Sequence, residues 1–216
     1  MDIPEVAFLA TREVIKNIKG RVADGGVSLP WLASMALQAG TGDHLDIGTL
    51  FGASALVVAL AKKWAGIEGE VYCIDPWEVR SGIAVNAAVK PEEICAAMQD
   101  VSENAERFGV PLKLIKAKSE PVPPELEGHS FASVYIDGDH LKGQPLRDFQ
   151  LYAPMVTKYI GFDNYEEGYP DVMAAVRHIM LNDQGWVPLF KNMTFFALRR
   201  RMPGRHEANN VDLARL

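Results

Sequence analysis

From residue 44 onward, short apolar runs alternate with longer segments whose apolar residues recur at helical spacing. His44-Leu45-Asp46-Ile47-Gly48, Glu70 to Asp75, Pro111 to Ala117, Phe131 to Asp137 and Tyr159 to Phe162 are short and bounded by turn residues, which predicts strands. Ala53 to Trp64, Pro91 to Phe108, Pro145 to Val156 and Asp171 to Leu181 carry the longer period and predict amphipathic helices. Trp186 to Lys191 and Thr194 to Arg199 read as two strands joined at Asn192. So close a joint is a hairpin signal, and it makes one of that last pair antiparallel. Before residue 44 the chain reads as helical. Val6, Leu9, Val14 and Ile15 fall near one helical face, Gly25 and Gly26 interrupt, and Pro30 opens a second helix from Trp31 to Gln38.

Strands alternating with helices mean right-handed crossovers and a sheet covered on both faces. The expected fold is α/β, a Rossmann-like three-layer sandwich. Its seven-stranded sheet is mostly parallel, with one antiparallel strand near the C-terminus. Residues 1–202 are expected to form one domain, with 1–43 as a helical cap and 203–216 as a flexible polar tail.

Composition narrows the partners. The 216 residues are 48% hydrophobic and 23% charged, with a formal net charge of −6, which argues against nucleic acid as the main partner. Arg199, Arg200 and Arg201 form a short basic run that reads as a solvated strand end. Two cysteines, Cys73 and Cys95, make no disulfide framework, so a reducing, cytoplasmic setting is expected. No apolar stretch is long enough for a membrane span, and Met1 to Lys19 lacks the core of a signal peptide. A homo-oligomer through the N-terminal helices is left open.

In an open parallel sheet, ligands bind beyond the carboxyl ends of the strands. The first strand ends in a turn where Gly48 and Gly52 allow close backbone approach, and the next helix offers free N–H groups. Gly-x-x-x-Gly spacing differs from the dinucleotide fingerprint and disfavours a nicotinamide cofactor. Asp75, ending the second strand, suits the two hydroxyls of a ribose. Trp77 suits an adenine face or the core, and Ser119, after the third strand, an adenine edge or a helix N-cap. The fourth and fifth strands end in Asp137 and in Asp163-Asn164. Neighbouring strands would bring these hard oxygen donors to one point, suited to Mg2+ or to Ca2+, or else they cap helices. His140 reads as a general base toward a metal-polarised hydroxyl or as a capping histidine, with Asp139 a further ligand or its orienter.

At these residues the chain resembles the class I methyltransferases, and within them the metal-dependent O-methyltransferases related to catechol O-methyltransferase and to bacterial sugar and natural-product enzymes. The family's first motif, acid-x-Gly-x-x-x-Gly-x-Ser, is matched by Asp46, Gly48, Gly52 and Ser54. The resemblance implies S-adenosylmethionine as cofactor, with Ser54 on its methionine carboxylate and Asp75 on its ribose. It also implies a divalent cation, Mg2+ before Ca2+, on Asp137, Asp163 and Asn164. Where catechol-type enzymes carry a lysine three residues after the first metal aspartate, this chain has His140. Asp-Gly-Asp-His, followed by Arg147 and Asp148, is closer to the bacterial branch. The implied activity is O-methylation of a small-molecule hydroxyl on a sugar, natural product or phenol. The competing readings are a nicotinamide oxidoreductase, a non-catalytic cofactor-binding module, and a methyltransferase acting on nucleic acid or protein. The last is disfavoured by the acidic balance and by the lack of an Asn/Asp-Pro-Pro-Tyr/Phe string.

Overall fold

The computed structural model of the chain describes residues 3–18, 26–78, 90–192 and 194–202. The expected tail, 203–216, lies outside the described residues. Two helices, α1 (Glu5–Asn17) and α2 (Leu29–Ala39), precede β1 (Asp43–Ile47). There follow α3 (Ala53–Ala65), β2 (Val71–Asp75), α4 (Pro91–Phe108), β3 (Lys113–Lys116) and β4 (Phe131–Ile136). The chain then runs through α5 (Gln144–Tyr152), β5 (Val156–Phe162), α6 (Pro170–Asn182), β6 (Trp186–Asn192) and β7 (Phe195–Arg200).

The seven strands form one sheet in the order β3-β2-β1-β4-β5-β7-β6. β1 to β5 are parallel, and β7 is antiparallel to both β5 and β6. The hairpin therefore inserts its second strand against β5 and leaves β6 at the edge. The strand order reverses between β1 and β4, so their carboxyl ends diverge into a crevice, which is where such a sheet takes its ligand.

Each sheet face carries its own apolar layer. Ala7, Val14, Leu32, Met35, Leu56 and Val58 belong to the layer under α1, α2 and α3. Leu45, Ile47, Val134, Phe149, Ile160 and Val176 belong to the layer under α5 and α6. α1 packs on α2 and α3, and α2 also touches β4, β5 and β7, so the N-terminal helices help to cover one sheet face.

Two boundaries differ from the sequence expectation. The helix expected to reach Val156 stops at Tyr152, a 3-10 turn spans Ala153–Met155, and β5 already starts at Val156. Pro154 is the cause. It has no N–H for the helix ladder, and its ring clashes with the carbonyl four residues back. β3 is shorter than the 111–117 run because it pairs with β2 alone, over Lys113 to Lys116. Among the described residues no helix is long and apolar enough to cross a membrane.

Candidate active site

The turn after β1 is shaped by close approach. Gly48 has φ +90°, and a Cβ there would sit 2.1 Å from the Asp137 carbonyl oxygen. Only glycine lets the β1 turn lie directly on the end of β4. Gly52, at φ +81°, sits at the start of α3, where a Cβ would press 2.9 Å from Val101 Cγ2. Asp46, on β1, is wholly buried. Its Oδ2 accepts a 2.5 Å bond from Ser54 Oγ, and Oδ1 has no hydrogen-bond partner. Burial raises its pKa to about 8, and the Asp137 and Asp75 charges add to that against the Ser54 bond.

Asp75 braces this turn from the end of β2. Its Oδ2 accepts from the Leu50 N–H at 3.0 Å and its Oδ1 from the Trp77 N–H at 2.6 Å. Trp77 is buried against Phe51 and Ala97, and its indole N–H donates to the Leu50 carbonyl at 2.8 Å. Of its two readings, this arrangement is the packed one. Ser119 starts no helix; its carbonyl accepts from the Tyr152 hydroxyl at 2.8 Å, and Gln144 Nε2 reaches its Oγ at 3.5 Å.

At the chemical end, β4 and β5 run in register with Tyr135 beside Gly161 and Ile136 beside Phe162. The next step along both strands brings Asp137 level with Asp163. Backbone bonds fix them there, Asp137 N–H to Ile47 O at 2.9 Å and Asp163 N–H to Ile136 O at 3.1 Å. Asn164 follows with a left-handed φ of 54°, a conformation that asparagine tolerates better than most residues. His140 Nε2 lies 3.2 Å from Asp137 Oδ1, and its ring stands edge-on to Tyr169 with centroids 5.1 Å apart. Burial lowers the His140 pKa, against the pull of Asp163, Asp139 and Asp148, so a neutral imidazole is favoured.

Among the described residues no three His, Cys, Asp or Glu side chains gather tightly enough to hold a metal ion. What the strand ends do supply is two carboxylates and one amide oxygen. These are hard donors that fit Mg2+ chemistry with water completing the shell. A family model described as a methyltransferase domain matches residues 45–165.

The chain belongs to that methyltransferase family.

The matched span runs from β1 to just past Asn164, so it holds every candidate residue named above. No curated protein matches this methyltransferase at a significant level. Among solved structures it is similar to cofactor-bound Rv0187 from MTB, at 22% identity and TM-score 0.61 over 91% of this chain and 90% of that one. It is also similar to the O-methyltransferase NovP, at 12% identity and TM-score 0.64 over 82% of each chain. A third is the O-methyltransferase from Bacillus cereus in complex with SAH, at 16% identity and TM-score 0.61 over 92% of each. At such identities the likeness is one of fold.

Two further polar residues of this methyltransferase were given no role by the sequence, Tyr135, which it did not single out, and Asp148, which entered only through the family resemblance. Tyr135 is buried on β4, where burial and the nearby Asp163 and Asp137 charges push its phenol pKa well up. Its position two residues before Asp137, hence on the same strand face, was the available signal. Asp148 on α5 is wholly buried, accepts from Gln144 Nε2 at 2.8 Å, and is raised in pKa by burial. Its partner Gln144 stands one turn earlier on the same helix.

Proposed function

We propose that this methyltransferase moves a methyl group from S-adenosylmethionine to a hydroxyl of a small molecule, with a divalent cation, Mg2+ by preference, at Asp137, Asp163 and Asn164. The single observation that carries the reading is the contact of Gly48 with the Asp137 backbone. It sets the cofactor turn and the acidic strand ends edge to edge.

The residues divide by place. Gly48, Gly52, Ser54 and Asp46 would take the methionine end, beside the free N–H groups of α3. Asp75 would take the ribose. Trp77 supports the wall from within, and Ser119 borders the adenine edge. When bound, the cation would lower the pKa of the acceptor hydroxyl. His140, held neutral, takes the hydroxyl proton as the oxygen–carbon bond forms and the carbon–sulfur bond breaks. Most of the remaining work is alignment of the acceptor oxygen with the methyl group. Tyr169, edge-on to His140, is an acceptor wall. Trp31 stacks on Phe190 at 5.1 Å and Tyr165 is buried, so both belong to packing.

His140 in place of a lysine favours a sugar or natural-product acceptor over a catechol. The acidic balance supports a small-molecule partner over nucleic acid, and the unpaired cysteines support a cytoplasmic setting without a membrane partner. A homo-oligomer through α1 and α2 remains part of the proposal. A second reading has its own observation: the 3.2 Å Asp137–His140 contact also suits a cation-free dyad in which Asp137 orients the base.

The test is S-adenosylhomocysteine formation over a panel of hydroxylated acceptors, with and without chelator, paired with calorimetry. Asp137→Ala should abolish turnover and keep cofactor affinity, and Asp75→Ala should lose cofactor affinity. Turnover indifferent to chelator would favour the dyad. Equal loss of cofactor affinity in both variants would refute the division of labour.

A further inference from the structure

One face of α5 is polar where a packing helix needs no polar groups. Gln144, Asp148 and Tyr152 recur every four residues and so form one stripe along the helix. Asp148 and Tyr152 are wholly buried. Apolar residues of similar size would fill that space without asking for hydrogen bonds, and one Asp148 oxygen, Oδ2, has no partner. Burial raises the Asp148 pKa accordingly. A stripe that costs stability in this way is explained by what it holds.

What it holds is the loop after β3. The Tyr152 hydroxyl donates to the Ser119 carbonyl at 2.8 Å, and Gln144 Nε2 reaches Ser119 Oγ at 3.5 Å. The Gln144 amide is itself fixed from both ends. Its Oε1 accepts from Arg147 Nη2 at 2.7 Å and Nε at 3.1 Å, while its Nε2 donates to Asp148 Oδ1 at 2.8 Å. Arg147 also reaches Glu120 Oε2 at 3.3 Å and donates to the Lys142 carbonyl at 2.8 Å. The loop is therefore gripped at two successive residues. It also begins beside Asp75, because the Ala117 N–H donates to the Asp75 carbonyl at 3.2 Å. A base attached to a ribose at Asp75 would meet the segment that α5 holds.

We propose that Gln144 and Tyr152 are positioning residues for the base of the cofactor: they hold Ser119 so that the loop after β3 meets the adenine edge at a fixed distance. This rests on the reading of Asp75 and Ser119 given above, and it needs no cation. Hydrogen bonds to a base edge span a window of only about half an ångström, so a loop released by that much loses them. One such bond is worth about 3- to 10-fold in affinity.

The experiment is calorimetry on the full chain with two probes, S-adenosylhomocysteine and its deaminated analogue S-inosylhomocysteine, with thermal melts measured alongside. The analogue keeps the ribose and amino-acid ends and changes only the base edge. The wild-type protein should prefer S-adenosylhomocysteine. Tyr152→Phe and Gln144→Leu should each weaken S-adenosylhomocysteine by about 3- to 10-fold and leave the analogue nearly as before, so the preference shrinks. In a Ser119→Ala background Gln144→Leu should cost less than in wild type, because the hydroxyl it steadies is gone. An unchanged preference in both variants overturns the assignment, and in one of them removes that residue from it. An equal fall for both probes together with the melting temperature marks a packing role and also overturns it. If the wild-type protein binds both probes equally, the loop does not read the base and this inference falls while the methyl-transfer reading stands. If it binds neither, the cofactor reading falls and takes this inference with it.

Discussion

With the cofactor seated as proposed, Asp46 should make its binding a proton-release reaction. In the free protein its carboxyl is wholly buried and its pKa stands at about 8, so at pH 7 it is about 0.9 protonated. In the proposed site S-adenosylmethionine would bring a sulfonium and an ammonium to the turn that Asp46 underlies. A positive charge within a few ångströms favours the ionised carboxylate and lowers its pKa. If the pKa in the complex falls below about 5, binding at pH 7 releases about 0.9 proton per cofactor. The sign follows directly. Where the free protein holds the extra proton, affinity rises with pH, and it levels off above the free pKa of about 8. Between pH 6 and pH 8.5 the gain from this group is about 80-fold, or about 2.6 kcal/mol. Isothermal titration in two buffers of different ionisation enthalpy counts the protons, and a pH series reads the slope. Asp46→Asn should remove both the proton release and the slope. Buffer-independent enthalpies with a flat pH profile in the wild-type protein would refute the reasoning.

Gly48→Ala should be among the most damaging single-methyl changes in the chain. It adds a Cβ 2.1 Å from the Asp137 carbonyl oxygen at a φ of +90°, so strain and overlap together should cost about 3 kcal/mol or more. Urea unfolding reads the loss, and a change below about 1 kcal/mol would mean that the two strand ends are not in contact as described. His44 should make the fold acid-sensitive. Burial, with the Lys62 charge beside it, depresses its pKa from 6.5 to about 3, while its Nδ1 pairs with Ser133 Oγ at 2.8 Å. Its contribution is present above the unfolded pKa and is lost as pH falls through the window from 6.5 toward 3. From pH 7 to pH 5 the loss is about 2 kcal/mol, read as the wild-type minus His44→Gln difference so that other titrations cancel. A pH-independent difference would contradict it.

The alternation of periods made the sheet and its helices legible before any coordinates, because a parallel sheet needs both kinds of segment in turn. Where the structure departs from that pattern, a single local residue overrides it. The apolar pattern of residues 145–156 continues past Tyr152, yet Pro154 ends the helix there. The acids at the strand ends were legible from topology alone, since strand ends are where such a sheet presents chemistry. Side-chain contacts across elements were not. Trp77 could be placed inside only by Ala97, twenty positions on in α4, and by Phe51 on the neighbouring turn. The carboxylates around Tyr135 could be named only with the register of β4 on both β1 and β5.

That register leaves three carboxylates, Asp46, Asp137 and Asp163, acting on one phenol at Tyr135. The like charges of Asp137 and Asp75 raise the cost of ionising the wholly buried Asp46. Asp46 relieves the strain by holding its proton. A cation at Asp137 and Asp163 would relieve it differently, by cancelling the Asp137 charge that helps to push Asp46 up. The two ends of the site are therefore coupled through Asp46. Saturating Mg2+ should bring the free Asp46 pKa below about 8 and reduce the protons released per cofactor at pH 7. Proton counts measured with and without Mg2+ decide this, with Asp137→Ala as the control in which Mg2+ makes no difference. An Mg2+-independent count in wild-type protein that demonstrably binds the ion would mean that the cation lies too far from Asp137 to screen it.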